Sequence, residues 1–238
     1  MNTATLLLGI DAPLQSWGVQ SRFERRDTGI EPSKSGIVGL LAAALGIPRD
    51  GDIRHLAAFG MAVRCDREGQ VERDYHTTQN VPTTDGRSSR TIVSERHYLA
   101  DACFLVALEG AAEHIEEAAE GLRKPVFPLF LGRKAFAAPP DLFLGLTELS
   151  ATEAVRKHVW LERRGRIVQK ARRDADEGKP QMLRISCDSE PGPSVHMRYD
   201  HPVSFAWAAR KFAPRYVRTD FVPLTSGLLP SLKEQACT

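Results

Sequence analysis

The sequence has no run of about 18 apolar residues, so no segment suits a membrane-spanning helix. Its first residues, MNTATLLLGIDAP, lack the basic start and long apolar stretch of a secretory signal, and a cytoplasmic protein with no membrane partner is expected. Cysteine is sparse: Cys65, Cys103, Cys187 and Cys237 are widely separated and form no C-x-x-C pair. That spacing argues against a zinc site or a disulfide framework and leaves reduced structural thiols, with no metal or cofactor expected. A nucleotide-binding P-loop is also missing. The motif needs glycine amides wrapped around phosphate before its lysine, and here Ser33 stands at the second glycine position while Gly29 is one residue too close to Lys34. Neither an internal repeat nor a low-complexity linker interrupts the chain. Charge nearly cancels, at net +2 with 42% hydrophobic residues, as in a folded chain of one elaborated domain or one and a half.

What is present begins with TATLLLGI, an apolar run of strand length, followed by a long loop from Asp11 to Ser33 that carries PLQSWG and the basic residues Arg22, Arg25 and Arg26. In EPSKSGIVGLLAAALG, the residues Ile37, Leu40, Leu41, Ala44 and Leu45 make one helical stripe, with Ser33 as N-cap and Gly46 and Pro48 as the stop. Lys34 is out of place there, because a cation in the first turn opposes the helix dipole unless an anion is bound. The free amides, the Ser33 and Ser35 hydroxyls and Lys34 together suit one phosphate; a lysine that snorkels into solvent is the alternative. FGMAVRCD reads as a strand, Arg67 to Gly69 turns into QVERDYHTT, and Asn80 to His97 forms a polar arm with Asp85-Gly86 as its turn. DACFLVALEG is a buried strand and AAEHIEEAAEGLRK an amphipathic helix; PVFPLFLGRKAF turns around Gly132, and DLFLGL is a last strand. The order gives an α+β fold, a ferredoxin-like or RRM-like antiparallel sheet backed by two helices, whose open sheet face is one that RNA-binding modules use. From Ser150 the expected elements are a helix over SATEAVRKHVWLERR, a loop around DADEGKPQ and a strand at MLRISCD.

Overall neutrality hides local imbalance. Between Arg156 and Arg173 eight basic residues face one acid, Glu162, and further on Arg198, Arg210, Lys211, Arg215 and Arg218 interleave with Tyr199, Phe205, Trp207, Phe212 and Tyr216. Cations among aromatics suit a polyanion with unpaired bases, although a single charge run is ordinarily a solvated face.

Five stretches in order, PLQSWG, PSKSGIVGLLAAALG, YHTTQNVP, SERHYLADACFLVAL and PLFLGRKAF, resemble the CasD family, the subunit of the type I-E CRISPR surveillance complex, Cascade, that holds the 5′ handle of guide RNA. The resemblance covers residues 1–145, roughly, and is looser beyond, resting on HPVSFAWAARKFAPRYV. It implies a RAMP-superfamily domain over residues 1–149, with a β-hairpin thumb near 67–100 and a glycine-rich loop near 128–136, and a basic C-terminal extension over 150–238 packed on it. It also implies binding of the crRNA 5′ handle, contacts with the backbone subunit and the large PAM-reading subunit, and contact with target DNA only through the complex. By position, Ser33, Lys34, Ser35 and Gly36 would hold handle phosphates, and Gln15 and Ser16 would hydrogen-bond a base or sugar. Trp17 would be a stacking platform or a core residue, and Gly132 with Arg133 and Lys134 would clamp the backbone. Arg22, Arg25, His76, Arg90 and Arg96 complete the expected RNA surface. The expected role is non-catalytic. Two alternatives stand beside it: a metal-independent endoribonuclease drawing on Tyr75, His76 and His97 with Lys34 or Arg96 as cation, and an NTP-binding enzyme using Lys34.

Overall fold

The computed structural model describes residues 2–18 and 25–231. The elements are β1 (Thr3–Gln15), β2 (Arg25–Arg26), α1 (Lys34–Ala44), α2 (Arg54–Ala57), β3 (Gly60–Arg67), β4 (Gln70–Pro82), β5 (Ser89–Ala111), α3 (Ala112–Arg123), β6 (Phe143–Thr147), α4 (Ala151–Lys157), α5 (Gly165–Asp176), β7 (Met182–Asp188), β8 (Val195–Ser204) and β9 (Lys211–Pro223). One sheet runs β6-β1-β5-β3-β7-β9-β8, with β2 and β4 attached to β5. All pairings are antiparallel except the short β2 against β5. The segment after residue 150 is thus built into the sheet, β7 pairing with the edge of β3.

Both faces of the central strands are buried, which is why β1 reads as an unbroken apolar run rather than an alternation. Leu6, Leu8 and Ile10 point into one core with α1 and α3, while Leu7 points into a second with Ala154, Val155, Trp160 and Val168. The face expected to stay open for RNA is therefore closed by α4, α5 and the residues between them. Arg64 locks this lid: fully buried, it pairs with Asp66 and donates to the carbonyls of Val155, His158 and Val159, in and just past the last turn of α4 where cations are favoured.

Two expectations after Ser150 change. Ser150 caps α4 by accepting from the Glu153 amide, but the helix stops at Lys157 so that Trp160 can enter the second core. A second helix, α5, then covers part of the stretch read as a loop, seated by Val168 and Ala171. The basic run here is largely answered within the chain: Arg156 pairs with Asp220, Lys157 with Glu153, Arg163 with Asp141, Arg164 with Glu162 and Asp101, and Lys170 with Asp174.

The hairpin reaches beyond the polar arm read at Asn80 to His97. β4 and the outer half of β5 pair from Gln70 opposite Ala100 to Pro82 opposite Ser89, with a register shift between Thr78 and Val81 where Asn80 takes φ 56°. The arm and the following strand are one continuous element, because β5 runs from the solvent-exposed hairpin straight into the core.

Candidate nucleic-acid interface

The start of α1 is not a vacant phosphate cradle. Lys34 is 5% exposed. Its Nζ donates to Asp188 Oδ2 at 3.0 Å and its amide to Asp200 Oδ2 at 2.8 Å. Arg215 forks onto Asp200 at 2.9 and 2.7 Å and also binds Asp188, while Ser33 Oγ accepts from the Gly36 amide. Burial opposes charge on Asp200, yet Arg215 and the Lys34 amide hold its carboxyl below the usual carboxylate range. The anion that the dipole and Lys34 call for is supplied by β7 and β8 of the same chain.

PLQSWG is likewise an internal device. Gln15 is fully buried; its Nε2 donates to the Ala102 carbonyl at 2.7 Å and its Oε1 accepts from Trp17 Nε1 at 3.1 Å. Trp17 is a core residue rather than a platform, and Gly36 gives it room, since a Cβ there would lie 2.8 Å from Trp17 Cε3. Ser16 is buried too, its amide donating to the Leu131 carbonyl at 3.0 Å. Against its own carbonyl sits Gly132, at φ +88°, where a Cβ would come within 1.8 Å of the Ser16 oxygen. Only glycine lets the loop dock this closely.

That docking sets Arg133 at the root of the thumb. Its Nη2 donates to the His97 carbonyl at 2.6 Å and its guanidinium lies 5.5 Å from the Phe136 ring centre. Arg26 is next to it through β2, whose register sets Arg25 beside Glu95 and Arg26 beside Arg96. Burial, then the positive charges of Arg96 and Arg26, push the Arg133 guanidinium below its ordinary pKa; Asp74 opposes them. Among the described residues none of these three arginines forms an ion pair. Arg25, Arg90 and Lys134 are exposed nearby or along the arm, while Arg22 lies outside the described residues. Ser35 and Gly36 join Gly132 and Lys134 in the wall of a cleft of about 590 Å³.

The remaining candidates divide. His76 is exposed on the arm, 3.7 Å from Asp74. His97, whose Nδ1 is buried with no hydrogen-bond partner among the described residues, lies opposite Arg73, whereas His76 lies opposite Ser94. Strand alternation therefore sets the two histidines on opposite faces of the hairpin. Of the C-terminal cations, Arg198 is spent on Glu31 and Arg215 on Asp188 and Asp200, which leaves Arg210, Lys211 and Arg218 without an ion pair among the described residues, and of these Arg210 lines the cleft with Phe205. Sequence reasoning counted Arg26 among the loop cations without assigning it to the site, and had no pattern for the distant Asp188 and Asp200.

These features define an α+β protein with a basic, solvent-open junction between a hairpin and a glycine-hinged loop. The family model described as CRISPR-associated protein (Cas_Cas5) matches residues 5–218, and the chain belongs to that family. The CRISPR system Cascade subunit CasD of Escherichia coli (strain K12) is 40% identical over 164 residues, 61% of this chain and 72% of that protein. A crystal structure of a Cas protein superposes with TM-score 0.72 at 35% identity, over 95% of this chain and 98% of that one. A chain of a CRISPR RNA-guided surveillance complex gives TM-score 0.78 at 30% identity, over 95% and 93%. The likeness thus extends through the C-terminal strands.

Proposed function

We propose that this chain is a non-catalytic subunit of a CRISPR surveillance complex and grips the 5′ handle of crRNA at the junction of thumb and glycine-rich loop. The carrying observation is the convergence of Arg26, Arg96 and Arg133, with Arg133 half-buried under the burden of its neighbours' charge. Like charges gathered at a partly dry site are costly until an anion arrives, and backbone phosphate relieves both costs. Arg25, Arg90 and Lys134 extend the track. The thumb, exposed along β4 except at Val81 and with Val71 and Tyr75 on one face, is the arm that lies against the backbone subunit; the large PAM-reading subunit and, through it, target DNA complete the assembly. The hairpin register favours this reading over endoribonuclease action, because His76 and His97 do not form an acid–base pair across one scissile phosphate. Nucleotide hydrolysis through Lys34 is disfavoured by its burial on Asp188.

The test is titration of a repeat-derived single-stranded RNA with the full chain across a salt series. Each phosphate contact contributes a slope of about −0.7 in log K against log salt for single strands. Arg96→Ala with Arg133→Ala should weaken binding at least tenfold and flatten the slope by about 1.4, with the RNA intact in EDTA. Unchanged affinity and slope, or cleavage in EDTA, overturns the proposal.

A further inference from the structure

The C-terminal cluster of cations and aromatics divides unevenly on folding. Arg198 and Arg215 turn inward to carboxylates, yet Trp207, in the loop between β8 and β9, is 83% exposed while Trp17 and Trp160 are 1% and 2% exposed. An indole left in water is a surface waiting for a flat partner. The Arg49 guanidinium lies 4.3 Å from the centre of its ring. Arg49 of this pair lines the 590 Å³ cleft together with Gly36 and Gly39 of α1 and with Phe127 and Phe205. Arg49, Lys134 and Arg210 ring it, and no carboxylate is among the described residues that line it. An aromatic slot with a cationic rim matches a nucleobase joined to its phosphates. Gly132 and Lys134, the two neighbours of Arg133, line the cleft, so it adjoins the arginine junction.

We propose that this cleft receives one unstacked base of the bound single-stranded RNA, with Trp207 as the stacking platform at its mouth and Arg49 and Arg210 on the adjoining phosphates. The inference rests on the RNA-holding reading above and makes the β8–β9 loop a second half of that site. An RNA occupant is favoured over a protein segment by the cleft's continuity with the arginine junction and by its unopposed positive charge.

The experiment exploits the burial of the other two tryptophans. Acrylamide should quench Trp207 selectively in the full chain, and a repeat-derived single-stranded RNA should remove most of that quenching. Trp207→Ala should weaken the same RNA about tenfold, Trp207→Phe should restore it substantially, and neither should shift the melting temperature, because the side chain supports no core. The salt slope should be unchanged in Trp207→Ala and flattened in Arg210→Ala. If wild type binds RNA while Trp207 stays open to acrylamide and Trp207→Ala binds equally well, the cleft assignment falls and the arginine junction stands. If wild type binds no RNA, both fall. If Trp207→Ala binds RNA normally but separates from the other subunits of the complex, the cleft is a protein-docking site and the proposal is overturned.

Discussion

Lys34 and Arg133 offer a double dissociation between holding the fold and holding RNA. Lys34 is buried on Asp188, and removing one partner of a buried ion pair ordinarily costs about 3–5 kcal/mol. The loss here is buffered, since Asp188 keeps Arg215 and the Met61 amide and the residue 34 amide still reaches Asp200. Lys34→Ala should therefore cost about 2–3 kcal/mol, or about 5–10 °C in melting temperature for a chain of this size. Arg133→Ala gives up one hydrogen bond and its position near Phe136, but relieves repulsion from Arg96 and Arg26, so its stability change should stay within about 0.5 kcal/mol. Thermal unfolding by circular dichroism gives the first quantity for each. Anisotropy with a labelled repeat-derived RNA, taken well below both melting temperatures, gives the second. Lys34→Ala should melt early and bind normally; Arg133→Ala should melt normally and bind about tenfold more weakly. A Lys34→Ala protein with wild-type melting and lost RNA binding would refute the burial argument.

Gly132→Ala puts a methyl group 1.8 Å from the Ser16 carbonyl oxygen at a left-handed backbone angle, so the loop must lift away. It should cost about 2–4 kcal/mol by urea titration and weaken RNA binding as Arg133→Ala does, because Arg133 leaves the junction. Glu162 is buried, which disfavours its charge, yet Arg164 and Arg67 hold its carboxyl down to about 2 from an ordinary 4.5. A depressed carboxylate stabilises the fold above its unfolded value, and that stability drains away as pH falls from about 4.5 to about 2. Glu162→Gln should lower the urea midpoint at neutral pH and flatten its acid limb; an unaltered limb would show that the carboxylate contributes nothing.

The legible part of the fold was the part written in local rules. The Ser33 cap, the α1 stripe and its glycine stop, α3 and the Asp85-Gly86 turn follow from spacing within a few residues, and all are found in place. At the candidate site the turn at Gly132 was legible in PVFPLFLGRKAF and Arg133 came from the family resemblance, while the close approach of Gly132 to the Ser16 carbonyl was not legible. The site was illegible wherever a polar group is answered from far along the chain. Lys34 looked unpaired because its carboxylates come from Asp188 and Asp200, and Gln15 looked available because its partner is the Ala102 carbonyl. The same ambiguity misled on the first basic run, whose acids at Asp141 and Asp220 lie outside it.

Closing the second sheet face also decides where a ligand can go. An RRM-like sheet with one bare face reads RNA by stacking bases on its strands. Here α4 and α5 cover that face, and Arg64 fastens the cover through three backbone carbonyls, so exposing the strands would strand a buried guanidinium and open a core. On the proposed reading, RNA is left with what projects beyond the layers: the hairpin, the glycine-hinged loop and the β8–β9 loop. Those pieces have little core of their own and take their positions from the sheet they extend. Arg133, which has no ion pair among the described residues, and Trp207, 83% exposed, lie on such projections, and on the proposed reading the covering of the sheet is what turns RNA toward them.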